Sequence, residues 1–212
     1  MNETLSHKLW RENRDLAERI YRHPFVQALG SGELPLQQFR AYIAQDAFFL
    51  EAFARAYALA MAHSPDREGL FTFYELLGGG LQELNLHSGY ARKWGANIHD
   101  VTPMVATTAY TSFLLETAKS GDIGLICAAM TPCMRLYAFL GQRLAATYGI
   151  PDHDYADWII TYSDPEFEKL AIRLEGLLNQ YGNNAQNTHH AYQRAMIMEY
   201  EFFDAHISSP GT

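Results

Sequence analysis

The chain has 212 residues, 48% hydrophobic and 13% aromatic, with 16 Lys and Arg against 24 Asp and Glu for a net charge of −8. A chain of this length folds as one domain over residues 1–212, burying ~70% of its unfolded surface, and its apolar content excludes disorder. The acidic balance, with no five-residue basic run, argues against a nucleic-acid surface.

The opening MNETLSHKLWREN has no apolar signal-peptide core. The longest strongly apolar stretch, Ile123 to Met134, falls short of the ~20 residues that span a membrane. The two cysteines, Cys127 and Cys133, would stand ~9 Å apart along one helix, beyond disulfide reach. These features describe a soluble, reduced, cytoplasmic protein.

Helical periodicity dominates, and strand alternation is absent. Leu5, Leu9, Leu16 and Ile20 predict a first helix that stops before Pro24. Gly30-Ser31-Gly32 marks a turn, and Pro35 opens a second helix. That helix carries the clearest seam in the chain: Leu36, Phe39, Ile43, Asp46, Leu50, Phe53, Tyr57, Ala60. It ends near Ser64-Pro65. A third helix spans about Arg67 to Trp94, where Gly78-Gly79-Gly80 should weaken or bend it. Thr102 and Pro103 read as cap and first-turn residue of a fourth, running to about Ser120.

Gly121-Asp122 starts the fifth helix, with an inward seam of Ile126, Met130, Cys133, Tyr137 and Leu140. Tyr155 to Tyr162 forms a shorter helix, and Ser163-Asp164-Pro165 caps the next. Gly182-Asn183-Asn184 precedes a last helix ending near His206. The fold class is an all-α bundle of about seven to eight helices.

Several residues break their own pattern. Asp46 sits where the seam reserves apolar side chains, and an ionised carboxylate buried without partners costs several kcal/mol. Either a fixed structural partner or a ligand must satisfy it. Cys133 and Tyr137 lie one turn apart on the inward face. Pro132 removes the bond to the Ala128 carbonyl and kinks the axis beside the thiol. Cys127 lies off that face and reads as a small structural hydrophobe. Tyr110 points a hydroxyl along the interior, while Tyr155, Trp158 and Tyr162 share one face and read as core packing. Glu199 shares a face with Tyr192, Ala195, Phe202 and His206, but Met196, Tyr200, Phe203 and Ile207 form a competing stripe. Glu83 and His87 are spaced for joint metal ligation, yet no Glu-x-x-His motif of di-iron bundles occurs. His189-His190 at a helix start read as solvated.

The segments HPFVQALGSGELPLQQFRAYIAQDAFFL, ELNLH, TAYTSFL, MTPCMRLYAFLG, YADWIITY and MEYEFFDA resemble, in order and spacing, the TenA family of thiaminase II and aminopyrimidine aminohydrolases. The resemblance covers nearly the whole chain and implies the haem-oxygenase-like all-α fold. It also implies hydrolysis at the methylene carbon of a methyl-aminopyrimidine, with thiamin as a second substrate, in thiamin salvage. On matching positions, Cys133 resembles the nucleophile and Glu199 the general acid/base. Asp46 resembles the ring-binding carboxylate, Tyr110, Tyr137 and Tyr162 the lining hydroxyls, and Phe202 the stacking aromatic. No metal or cofactor is implied, and the assembly implied is a homotetramer. Phe49 stands where the family typically has tyrosine, and Phe203 where tryptophan is usual. The same fold hosts di-iron and cofactorless oxidases, and the family has carried a regulatory label. The absent Glu-x-x-His, the presence of Cys133 and the acidic charge favour the hydrolase.

Overall fold

Asn13 makes the first departure from the sequence pattern. In a computed structural model describing residues 3–98, 100–149 and 152–207 (backbone alone at 86–88, 90 and 92), it breaks the first predicted helix in two. Its side-chain Nδ2 donates to the Leu9 carbonyl at 2.9 Å, competing with the helical ladder. The result is α1 (Leu5–Glu12) and α2 (Arg14–Tyr21). Pro24 then opens a further helix, α3 (Pro24–Ser31), because a proline at the first helical position loses no bond. His23 caps it by accepting from the Phe25 N–H, and Gly32 closes it with φ of 81°.

The remaining helices are α4 (Leu36–His63), α5 (Arg67–Trp94), α6 (Val105–Lys119), α7 (Ile123–Tyr148), α8 (Ala156–Ser163), α9 (Pro165–Tyr181) and α10 (Gln186–Asp204). The described residues thus form ten helices rather than seven or eight, and no strand. Pro35 is the N-cap of α4 and not its first turn. The glycine triplet leaves α5 unbroken, and α7 runs without interruption through Pro132.

The link of residues 64–66 folds α5 back along α4. α7 packs against α8, α9 and α10, with further contacts to α6 and α4. At 26 residues α7 is long and apolar enough to cross a membrane, extending past the apolar run marked in the sequence; 83% of its most apolar window is buried within the protein. It is a core helix. Arg135 pins it to α9 with two-pronged hydrogen bonds of 2.8 Å to Glu175, and it also pairs with Glu168. Gly141 lets α8 approach closely, since a Cβ there would collide with the backbone of Tyr162 and Ser163.

Candidate active site

Glu199 on α10 is 2% exposed, and the two stripes do not exclude each other: Phe202 of its own face and Met196 and Phe203 of the competing one are all buried. Tyr110 on α6 donates to Glu199 Oε1 at 2.7 Å. The Cys133 thiol on α7 adjoins this carboxylate, near enough for the two groups to perturb each other's ionisation. Burial pushes the Glu199 carboxyl up to about 8, with the Asp46 charge adding to the rise and the Tyr110 bond and the Cys133 thiol opposing it. Burial pushes the Cys133 thiol well above its usual range, reinforced by the charges of Glu199, Glu83 and Asp46. Cys133 therefore rests as a thiol beside a carboxyl that itself holds a proton up to about pH 8, so it is the ionised fraction of Glu199 that can accept from the thiol.

Asp46 is buried on α4, as its seam position predicts, and its charge is felt at Tyr42, Tyr137 and Tyr162 as well as at Cys133 and Glu199. One turn before it, Tyr42 accepts from Trp158 Nε1 at 3.2 Å and bonds the Tyr137 hydroxyl at 3.2 Å. Tyr162 donates to Glu83 of α5. Phe49 lies 4.8 Å from the Tyr110 ring and 6.0 Å from Phe202, while Phe203 stacks on Tyr42 and Tyr137. Four helices and α8 thus bring every predicted site residue into one buried cluster. Tyr155 and Trp158 are not packing residues alone, since each also spends its polar atom on a neighbour: Tyr155 donates to the Leu34 carbonyl.

Three members of the cluster escaped sequence reasoning. Tyr42 could have been found at i−4 from Asp46, on the same face. Glu83, spaced with His87 as a metal ligand in the sequence, accepts instead from Tyr162, and the His87 side chain lies outside the described residues. Gln45 adjoins Asp46 and explains the shift of α6 from the predicted Thr102-Pro103 start. Met104 caps α6 without a side-chain bond of its own. Gln45 Oε1 instead accepts from Met104 N at 2.9 Å and Thr107 Oγ1 at 2.6 Å, while its Nε2 donates to the Thr102 carbonyl at 3.1 Å. α4 therefore sets the register of the helix that carries Tyr110. Gln45→Leu should cost ~2–3 kcal/mol of stability and lower turnover, while Gln45→Glu at acid pH recovers part of both; denaturant melts paired with rate measurements check this.

Phe49 removes a possible hydroxyl from this network, yet Tyr110 already supplies one donor to Glu199. A second donor in Phe49→Tyr would favour the charged carboxylate. The Glu199 limb of the pH–rate profile, expected near 8, should then move to lower pH. A limb that stays put in a folded, ligand-binding variant would show that the two side chains do not meet.

The surroundings differ for the other titratable candidates. Cys127 is fully buried, burial pushes its thiol up, and it reads as packing. His189 is not simply solvated: it bridges Glu12 at 2.8 Å and Asn184 at 2.7 Å. His206 is buried among the Phe25, Tyr42 and Phe202 rings, and burial lowers it to about 4, so it stays neutral at pH 7. Among the described residues no three His, Cys, Asp or Glu converge as metal ligands. Chemically, the cluster offers acceptors and aromatic faces to a flat, donor-rich ring, with a thiol and a proton-carrying carboxylate beside it.

The TENA/THI-4/PQQC family matches residues 10–208. The aminopyrimidine aminohydrolase of Halalkalibacterium halodurans is 32% identical over 92% of this chain and 92% of its own length. The mitochondrial bifunctional TH2 protein of Arabidopsis thaliana is 36% identical over 96% of this chain, which spans only 37% of that longer relative. A Shewanella denitrificans domain described as having a haem-oxygenase-like fold superposes with a TM-score of 0.75 at 12% identity, over 94% of this chain and 90% of its own. The expected all-α, haem-oxygenase-like fold is therefore the observed one.

Proposed function

The chain belongs to the TENA/THI-4/PQQC family, and on that premise we propose that it hydrolyses thiamin-derived pyrimidines, converting aminomethylpyrimidine to hydroxymethylpyrimidine plus ammonia and cleaving thiamin, in thiamin salvage. What supports this reading is the Tyr110–Glu199 hydrogen bond with the Cys133 thiol adjoining the same carboxylate, beside Asp46 in an aromatic interior. Glu199 takes the thiol proton, and the sulfur of Cys133 adds to a ring carbon of the pyrimidine. The methylene C–N bond then breaks, and the amine leaves with the proton held by Glu199. Water adds to the methylene carbon and returns a proton to the carboxylate. The C–S bond breaks, the thiolate is expelled and reprotonated, and the net change is one water in and one ammonia out. Asp46 accepts from the ring's amino donors, Tyr137 and Tyr162 order the ring, and Phe202 and Phe49 flank it. Two carboxylates in unlike surroundings thereby divide binding from proton transfer.

Incubating the protein with aminomethylpyrimidine and with thiamin, and assaying for hydroxymethylpyrimidine, tests the reading. No product from either would end it. The protein works in the cytoplasm as a homotetramer with no cofactor. The association has a candidate face: Leu70, Tyr74 and Leu81 recur on one side of α5 and are 44%, 65% and 47% exposed, and Leu81 lies beside Ala54 and Ala58 of α4. Light scattering on the eluted protein, and on Tyr74→Lys, checks the assembly.

A further inference from the structure

Trp158 of α8 sets the direction in which a row of buried hydroxyls donates. An indole N–H is a donor only, and Trp158 Nε1 donates to the Tyr42 hydroxyl of α4 at 3.2 Å. Tyr42 is fully buried and has one other hydrogen-bond partner among the described residues, the Tyr137 hydroxyl of α7 at 3.2 Å. Distance alone leaves the donor of that second bond open. The Tyr42 hydrogen decides it. Turned toward the indole it would meet another hydrogen, and turned elsewhere it would be a buried donor without an acceptor, which is costly. The His206 ring packs 5.6 Å from that of Tyr42, yet neither of its nitrogens takes a hydrogen bond. Tyr42 therefore donates to Tyr137, and the row runs from Trp158 through Tyr42 to Tyr137.

The hydrogen of Tyr137 is then left over, because its hydroxyl has no further hydrogen-bond partner among the described residues. The other two tyrosines of the cluster spend theirs on carboxylates, Tyr110 on Glu199 and Tyr162 on Glu83. Among these three, Tyr137 is the one with a hydrogen to give. Packing keeps the row in line. Phe203 stacks on the Tyr42 ring at 6.1 Å and on the Tyr137 ring at 5.9 Å, with interplanar angles of 12° and 29°. Trp158 is 2% exposed and its ring sits 5.8 Å from that of Tyr137.

We propose that Trp158 and Tyr42 are positioning residues that hold the Tyr137 hydroxyl as a hydrogen-bond donor, so that the site selects a ring with an acceptor nitrogen facing Tyr137. The proposal rests on the pyrimidine-hydrolase reading and deepens it. An aminopyrimidine offers donors on its amine and acceptor lone pairs on its two ring nitrogens. Ionised Asp46 can only accept, so a ring nitrogen must find its donor elsewhere. Each bond in an aligned row polarises the next, which makes the hydroxyl at its end a stronger donor than a lone phenol. Without the row, Tyr137 is free to turn its hydrogen back onto its neighbour.

Calorimetry with three probes tests this: hydroxymethylpyrimidine and the two pyridines that replace one or the other of its ring nitrogens by C–H. Wild type should prefer the pyrimidine to the pyridine lacking the nitrogen that Tyr137 meets by at least about tenfold. Tyr137→Phe identifies that pyridine, because the preference over it should shrink to within about threefold. The same preference should narrow at least about threefold in Trp158→Phe and in Tyr42→Phe, while the preference over the other pyridine stays within about twofold of wild type. Comparing the same ligands across variants cancels their different basicities, and a merely structural loss would weaken all three alike. Tyr42→Phe removes one oxygen and no ring, so it carries the test even where the smaller side chain at position 158 loosens α8. Wild-type preferences retained in both Trp158→Phe and Tyr42→Phe, or in Tyr137→Phe, would overturn the positioning role and leave the functional reading standing. Wild type that binds none of the three probes would overturn the functional reading and the positioning role with it.

Discussion

Cys133→Ser should lose about 10³-fold or more in hydrolysis while keeping its affinity for the pyrimidine. The hydroxyl is nearly the thiol's size and keeps its place beside Glu199, so the pocket and the carboxylate keep their surroundings. What changes is the nucleophile. Even the buried thiol, held well above its usual range, is a better acid than an alcohol, and its sulfur is the stronger nucleophile toward a ring carbon. Global stability should change by less than ~1.5 kcal/mol, since the exchange opens almost no cavity. Single-turnover rates and equilibrium binding on the same preparation separate the two effects. Turnover like that of wild type would remove Cys133 from the chemistry, whereas lost binding with lost rate would make it a packing residue.

The Glu199→Gln enzyme should lose about 10²–10⁴ in rate and yet become the more stable protein at alkaline pH. The folded-state pKa of Glu199 is raised from 4.5 to about 8. Below pH 4.5 the carboxyl is protonated whether folded or unfolded and contributes no difference. Between 4.5 and about 8 the unfolded chain has released a proton that the folded chain holds, so stability falls as pH rises. The full penalty, reached above pH 8, is on the order of 3–5 kcal/mol. Glutamine does not ionise and escapes it, while its carbonyl can still accept from Tyr110. The stability gap between variant and wild type should therefore open with pH across this window. A gap independent of pH, alongside retained activity, would refute both the proton role and the burial argument.

The seam of α4 was legible because its partners are its own neighbours three and four residues away, and Asp46 stood out as the member that did not belong. The starts of α7 and α9 were equally plain, fixed by Asp122 and by Asp164 with Pro165, each acting within its own helix. The errors arose where a distant or competing side chain decides. Asn13 splits the first helix through one side-chain bond, and Gln45 moves the start of α6 from a helix some sixty residues away in sequence. The same limit applies to the site. Cys133 and Glu199 were placed by motif, but Glu83 gains its meaning only from Tyr162, a contact across 79 positions that no local pattern encodes.

The central helix also bears on how the chain is made. α7 finds its burial largely against α8, α9 and α10, all synthesised after it. At ~5–20 residues per second, roughly fifty more residues take several seconds to follow. Through that interval the ribosome holds a nascent segment that satisfies the length and greasiness of a membrane span, with Cys133 upon it. Nascent chains stalled before Gln186 should therefore crosslink to trigger-factor-like chaperones through α7, and released chains that include α10 should not. The residue assigned the chemistry rides on a helix whose main covering elements follow it in the chain, so the thiol is shielded only once α10 has been made.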